Sequence, residues 1–100
     1  MKIWLDDERP APAGWVRATT SAEAIDLLRT HRDGIEALSL DHDLGGDDTG
    51  YQVIAWLEER VALEDFPSPA ALHVHSANPV GRARMQQTID SIRRLEARRG

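Results

Sequence analysis

Acidic side chains follow two apolar segments near the start and the middle of this sequence. Asp6 and Asp7 follow Ile3–Leu5, and Asp41 follows Leu38–Leu40. Adjacent carboxylates repel each other unless one is protonated or a cation lies between them. Oxygen ligands of this kind suit Mg²⁺ or Mn²⁺. We therefore predict that Asp6, Asp7 and Asp41 bind a divalent cation. The alternative is that Asp6 or Asp7 only tightens the turn that follows.

Histidines near the same segments are candidates for proton transfer. His42 and His75 could each act as a general acid or base near neutral pH, and Asp43 could orient a histidine or complete the ligand shell of the cation. His42 has the alternative role of a hydrogen-bonded structural residue. His73 and His75 share one face of a strand, and we expect His75 nearer the cleft and His73 buried in or beside the sheet. A zinc site is not predicted, since no third ligand has suitable spacing.

Three further side chains are candidates for binding a phosphate. Arg9 could bind it bidentately, or could instead pair with Asp6 or Glu8 on the surface. Ser76 and Asn78 offer a hydroxyl and an amide, and the helix that we expect after Asn78 would supply N–H groups for an anion. The alternative for Asn78 is a plain helix N-cap.

The composition limits the class of protein. The chain has 100 residues, 41% of them hydrophobic and none of them cysteine. We therefore expect one globular domain over residues 1–100, without disulfides or thiolate metal sites. No segment has the length of a membrane span, and acidic residues come too early for a signal peptide, so we expect a cytoplasmic protein.

The charge is acidic overall and unevenly distributed. The net charge is −5. Residues 1–77 carry 15 acidic and 6 basic side chains, whereas residues 78–100 carry 2 acidic and 6 basic ones. A protein that coats duplex DNA should be basic, so that class is not expected. An acidic cluster with a bound cation would instead attract phosphate.

The elements that position these residues follow from periodicity and turn signals. Strands are predicted at 2–6, 15–18, 37–41 and 71–76. Helices are predicted from a capping box at Thr20 to about His31, from a second capping box at Thr49 through Val61, and from Asn78 to about Leu95. Strands that alternate with helices indicate a mostly parallel sheet covered on both faces. Ligands of such sheets bind beyond the carboxyl ends of the strands, where the polar residues lie.

The strand that ends in Asp6-Asp7 and the acid at the end of the central strand resemble the receiver domain of two-component signalling. In receivers such acids bind Mg²⁺, and the residue at the position of Asp41 accepts a phosphoryl group. This chain differs in three respects. It has no helix between its first two strands. It lacks a fifth strand with the receiver lysine, since its only lysine is Lys2, at the other end of the chain. The histidines at positions 42 and 75 are not typical of receivers either.

Longer motifs resemble the receiver-like family called the cyclic-phosphate processing receiver domain. They are Leu5-Asp6-Asp7-Glu8-Arg9-Pro10, Ser39-Leu40-Asp41-His42-Asp43-Leu44-Gly45, Thr49-Gly50-Tyr51 and His75-Ser76-Ala77-Asn78-Pro79-Val80-Gly81. The resemblance implies a three-layer α/β receiver-like (flavodoxin-like) fold, here reduced to a four-stranded, mostly parallel sheet with three helices. It also implies the processing of cyclic phosphates.

Three hypotheses for function follow. The first is a phosphoesterase that uses Mg²⁺ or Mn²⁺ and acts on cyclic phosphates, either RNA 2′,3′-cyclic phosphate ends or cyclic nucleotides. The second is a module that binds a phosphorylated ligand or a protein partner without chemistry. The third is a conventional phosphoacceptor at Asp41. No membrane partner is expected in any of them.

Overall fold

The computed structural model describes residues 1–99 as seven elements. In chain order they are β1 (Lys2–Leu5), β2 (Val16–Ala18), α1 (Ser21–Thr30), β3 (Ala37–Leu40), α2 (Tyr51–Glu64), β4 (Ala71–Val74) and α3 (Pro79–Arg99). The order of elements is the predicted one, and each strand is one or two residues shorter than predicted. No helix of the described chain is long and apolar enough to cross a membrane.

The strands form one parallel sheet in the order β2-β1-β3-β4. The prediction of a receiver-like α/β fold with four parallel strands and three helices is therefore confirmed. The central strands β1 and β3 pair with Ile3 opposite Leu38 and Leu5 opposite Leu40. These four side chains are at most 1% exposed and pack against the helices, so the core lies between the sheet and one helical layer.

The helices cover one face of the sheet, whereas the sequence predicted that they would cover both. Within residues 1–99, α2 packs against α1 on one side and α3 on the other, so the three helices form a single layer. The physical reason is the handedness of the crossovers. The connections from β2 to β3 and from β3 to β4 cross the sheet in the same direction, and right-handed crossovers then place their helices on the same face. The segment between β1 and β2 is a loop and supplies no helix for the other face.

The face without helices carries a cross-strand row of Trp4, Ser39 and His73. Trp15 packs edge-on against Trp4, with ring centroids 6.0 Å apart. The prediction that His73 is buried was wrong, because His73 lies on the edge strand β4 and on the uncovered face, where it is exposed.

The helix starts follow the predicted caps in one case and not in the other. Thr20 is the N-cap of α1, and its side chain accepts a hydrogen bond from the Glu23 N–H. The second predicted capping box, at Thr49, was wrong, because α2 begins after Gly50 without a side-chain cap. The reason is tertiary: the Gly50 N–H donates to the His42 carbonyl at 2.8 Å, and a Cβ atom at Gly50 would overlap the Asp41 carbonyl. The chain at this point is held against the end of β3.

Candidate functional site

Three carboxylates meet at the carboxyl ends of the central strands. Because Leu5 lies opposite Leu40, the residues that follow them leave the sheet at neighbouring positions. The Asp41 N–H donates to the Leu5 carbonyl at 2.9 Å. Carboxylate oxygens of Asp6, Asp7 and Asp41 lie within 4.8 Å of one another. The structure thus brings the three predicted cation ligands together.

Asp6 is fully buried and strongly hydrogen-bonded. Its Oδ1 accepts bonds from the backbone N–H groups of Glu8 and Arg9, both at 2.8 Å. Its Oδ2 lies 3.1 Å from His75 Nε2. Burial acts to raise the pKa of Asp6, but the bonds from Arg9, Glu8 and His75 outweigh burial and lower it. Asp6 is therefore ionised at neutral pH. It also tightens the turn after β1, which was the alternative role predicted for this residue.

His75 lies just beyond β4 with all its polar atoms engaged. Its ring stacks on Trp4, with centroids 3.8 Å apart and planes at 4°. Its Nδ1 lies 2.7 Å from the hydroxyl of Ser39, a residue only 4% exposed. Burial lowers the pKa of His75 more than the neighbouring Asp6 raises it. The imidazole is therefore neutral at neutral pH.

His42 belongs to a second hydrogen-bonded group. Its Nδ1 lies 3.0 Å from Asp43 Oδ1, and Asp43 Oδ2 accepts a bond from the Asn78 amide at 3.4 Å. These bonds, that of His42 first, lower the pKa of Asp43. The ring of His42 packs so closely on Gly81 that a Cβ atom there would overlap it. The first turn of α3 therefore holds both His42 and Asp43.

The start of α3 uses its own side chains as caps. The Asn78 side-chain oxygen accepts a bond from the Gly81 N–H at 3.0 Å, so Asn78 is the helix N-cap. The buried Ser76 hydroxyl accepts a bond from the Asn78 N–H at 3.1 Å. Since Pro79 has no N–H, this helix end offers fewer free donors to an anion than predicted.

These groups surround a pocket of about 180 Å³. It is lined by Asp6, Glu8, Arg9, Asp41, Asp43, Ser76, Ala77 and Asn78. The exposed Arg9 donates to the His75 carbonyl at 3.3 Å and has further N–H groups for a ligand. Within the part of the chain that the structure describes, neither histidine lines this pocket: His75 lies behind Asp6, and His42 behind Asp43.

A family model supports the interpretation drawn from the motifs. The model described as the cyclic-phosphate processing receiver domain matches residues 1–91. This chain belongs to that family. The match covers all four strands, α1, α2 and the first part of α3, and so every residue of the candidate site. The resemblance to this family is thereby confirmed. Comparisons with curated proteins and with solved structures gave no match.

The pocket of this receiver domain is acidic. Among the described residues, the carboxylates of Asp6, Glu8, Asp41 and Asp43 line it, against the guanidinium of Arg9. A phosphate would be repelled by this arrangement in the absence of a cation. The donor set consists of oxygens alone, which fits a hard divalent cation such as Mg²⁺ or Mn²⁺.

Sequence patterns predicted no role in the site for four residues of this receiver domain. They are Trp4, Ser39, Gly50 and Gly81. Ser39 carried a signal, because it is a polar residue between Leu38 and Leu40 in an apolar segment. The two glycines lie in the motifs that carry the family resemblance, but their close contacts were not predicted, since close approach between segments that are distant in sequence is not visible in either segment alone.

The stability of the cation-free receiver domain should fall with falling pH. His75 and Asp6 both have lowered pKa values in the folded state, so the unfolded chain binds more protons than the folded one. The loss begins as pH falls below about 6.5, the ordinary pKa of histidine, and continues below about 3.9, that of aspartate. Urea unfolding between pH 8 and pH 3 in a chelator measures it. His75→Gln should reduce the loss of stability that begins near pH 6.5. An unchanged pH profile in that variant would contradict the lowered pKa of His75.

Proposed function

We propose that this receiver domain is a divalent-cation-dependent phosphoesterase that hydrolyses cyclic phosphates, either 2′,3′-cyclic phosphate ends of RNA or cyclic nucleotides. The observation that carries the proposal is the meeting of three carboxylates within 4.8 Å beside a pocket that also contains a guanidinium, a hydroxyl and an amide. The description of the family as cyclic-phosphate processing supports the choice of substrate class.

The cation would be held by Asp6, Asp7 and Asp41. Asp41 Oδ1 accepts a bond from the His42 N–H at 2.9 Å, which orients its carboxylate. A divalent cation bound here would neutralise part of the phosphate charge and polarise its P–O bonds. Because the pocket is otherwise acidic, we expect phosphate binding itself to depend on the cation.

Arg9, Ser76 and Asn78 would bind the substrate. The guanidinium of Arg9 borders the pocket and can donate two parallel bonds to phosphate oxygens. The Asn78 amide faces the same pocket while its oxygen caps α3. The volume of about 180 Å³ suits a phosphate with part of its sugar, which leaves the base outside.

Hydrolysis of a cyclic phosphate adds water to phosphorus and breaks one ring P–O bond. The water loses a proton, and the departing ring oxygen gains one. His42 is the candidate to move this proton, because Asp43 bonds its Nδ1 and leaves Nε2 as an acceptor; since His42 does not line the pocket, the proton would pass through a water molecule. Asp43 would orient His42, and Asn78 would hold Asp43.

A binding module without chemistry is the second candidate. It is favoured by one observation: of the described residues that line the pocket, none is a histidine. Ordinary receiver phosphotransfer is disfavoured, because Lys2 is the only lysine and lies at the amino end of β1.

The test is a turnover assay on a panel of substrates. RNA with a 2′,3′-cyclic phosphate end and cyclic mononucleotides are incubated with the protein and Mg²⁺, Mn²⁺ or a chelator. We expect a phosphomonoester to form only with a cation. The absence of turnover across the panel, with wild type equal to Asp41→Asn, would overturn the proposal. Calorimetric binding of a cyclic phosphate without turnover would favour the binding module.

A further inference from the structure

We infer that Ser39 and Trp4 are positioning residues of the cation site that act through His75. In this arrangement Ser39 orients His75, and His75 bonds to Asp6 Oδ2. One lone pair of that oxygen is left for a cation. The inference rests on the cation site of the proposed function, but not on its reaction.

The hydrogen bonds of Asp6 determine which of its atoms can bind a cation. An ionised carboxylate has about four acceptor sites, two on each oxygen. Both sites of Oδ1 are used by the N–H groups of Glu8 and Arg9. One site of Oδ2 is used by His75. The remaining site is on Oδ2, so Asp6 can bind a cation through that oxygen alone.

The same bonds determine the tautomer of His75. The Asp6 carboxylate can only accept, so Nε2 of His75 must carry the proton. Nδ1 is then an acceptor, and the Ser39 hydroxyl at 2.7 Å donates to it. Ser39 is 4% exposed, and its hydroxyl has no other hydrogen-bond partner among the side chains and backbone groups that the structure describes. The hydrogen bond of the Ser39 hydroxyl is therefore with His75.

Trp4 holds the plane of the imidazole. The two rings are nearly parallel, at 4°, and Trp4 lies directly opposite Ser39 in the sheet. A rotation of the imidazole would break the bonds to both Ser39 and Asp6. The indole N–H of Trp4 is buried without a partner among the described residues, so the ring is not held there by a hydrogen bond of its own. Its packing against His75 and Trp15 accounts for its position.

His75 differs from His42 in its ring nitrogens. Both ring nitrogens of His75 are engaged with protein atoms, whereas among the described residues only Nδ1 of His42 has a hydrogen-bond partner. Its contribution is to orient and polarise the Oδ2 atom of Asp6, in the way that partners of metal ligands commonly do. Glutamine can reproduce the donation to Asp6, but it cannot transfer a proton as imidazole does.

The test measures Mn²⁺ affinity by calorimetry in two pairs of variants. Ser39→Ala is matched with Thr88→Ala, which removes another buried hydroxyl, in α3. Trp4→Leu is matched with Trp56→Leu, which removes an indole that packs on Phe66. We expect Ser39→Ala and Trp4→Leu to lose roughly tenfold or more in affinity, the effect typical of outer-shell partners, and both controls to remain near wild type. His75→Gln should retain most of the affinity that His75→Ala loses.

Nitrogen NMR of the imidazole gives a readout that does not depend on turnover. In the cation-free wild type, Nε2 should be protonated and Nδ1 should be a hydrogen-bonded acceptor. In Ser39→Ala the Nδ1 resonance should move toward that of an imidazole nitrogen without a hydrogen bond. Unchanged Mn²⁺ affinity in folded Ser39→Ala, or an unchanged Nδ1 resonance, would overturn the inference and leave the proposed function standing.

The two proposals fail separately. If no cyclic phosphate is hydrolysed while Ser39→Ala still weakens Mn²⁺ binding, the proposed phosphoesterase function is overturned and the positioning role of Ser39 stands. If the wild type binds no Mn²⁺, the positioning role is overturned together with the cation dependence of the proposed function.

Discussion

Replacement of Asp41 by asparagine is expected to abolish cation-dependent turnover and to weaken Mn²⁺ binding by more than the roughly 10- to 100-fold that loss of an outer-shell partner costs. Asparagine has the shape of aspartate and can still accept the bond from the His42 N–H, so the backbone should be retained. The change removes one of the three negative charges that meet within 4.8 Å. Calorimetry with Mn²⁺ and the turnover assay measure the two effects.

The same variant should be at least as stable as wild type without a cation. Three carboxylates so close together repel one another, and removal of one charge relieves this repulsion. Thermal unfolding in a chelator measures the difference. Asp47→Asn is the matched control, because it removes an exposed charge from the neighbouring loop and should alter neither affinity nor turnover. A destabilised Asp41→Asn with unaltered Mn²⁺ affinity would contradict the cation site.

Replacement of Gly50 by alanine is expected to destabilise the protein by about 1–3 kcal/mol, the usual cost of overpacking. The added Cβ would overlap the backbone carbonyl of Asp41, and a backbone atom cannot move aside as a flexible side chain does. Gly50 has helical dihedral angles, φ −65° and ψ −22°, which alanine adopts readily. The loss of stability would therefore come from the contact and not from backbone strain.

Chemical denaturation measures this effect, and Mn²⁺ affinity should fall with it because Asp41 is displaced. Gly34→Ala is the control, since a Cβ at Gly34 would lie 3.7 Å from the His31 carbonyl, an ordinary contact. Equal stability of Gly50→Ala and Gly34→Ala would show that the end of β3 yields to the added methyl group.

Local patterns predicted the elements well where local physics decides them. The N-cap at Thr20 was correct, because a hydroxyl that caps its own helix needs only the next three residues. The cap at Thr49 was wrong, because contact with the end of β3 decides where α2 begins. The exposure of His73 was also missed, since alternation along a strand does not say which face of the sheet a helix will cover.

The gathering of carboxylates at one edge of a parallel sheet followed from the sequence. Acids that follow buried strands must meet there, because parallel strands end at the same edge. The types of donor atom, and hence the preference for a hard cation, also followed from the sequence. Which atoms are left for a ligand depends on the tertiary structure, because long-range hydrogen bonds occupy particular lone pairs and ring nitrogens. It placed Ser39 against His75 and His75 against Asp6, and this separates His75 from His42, two histidines that the sequence alone could not distinguish.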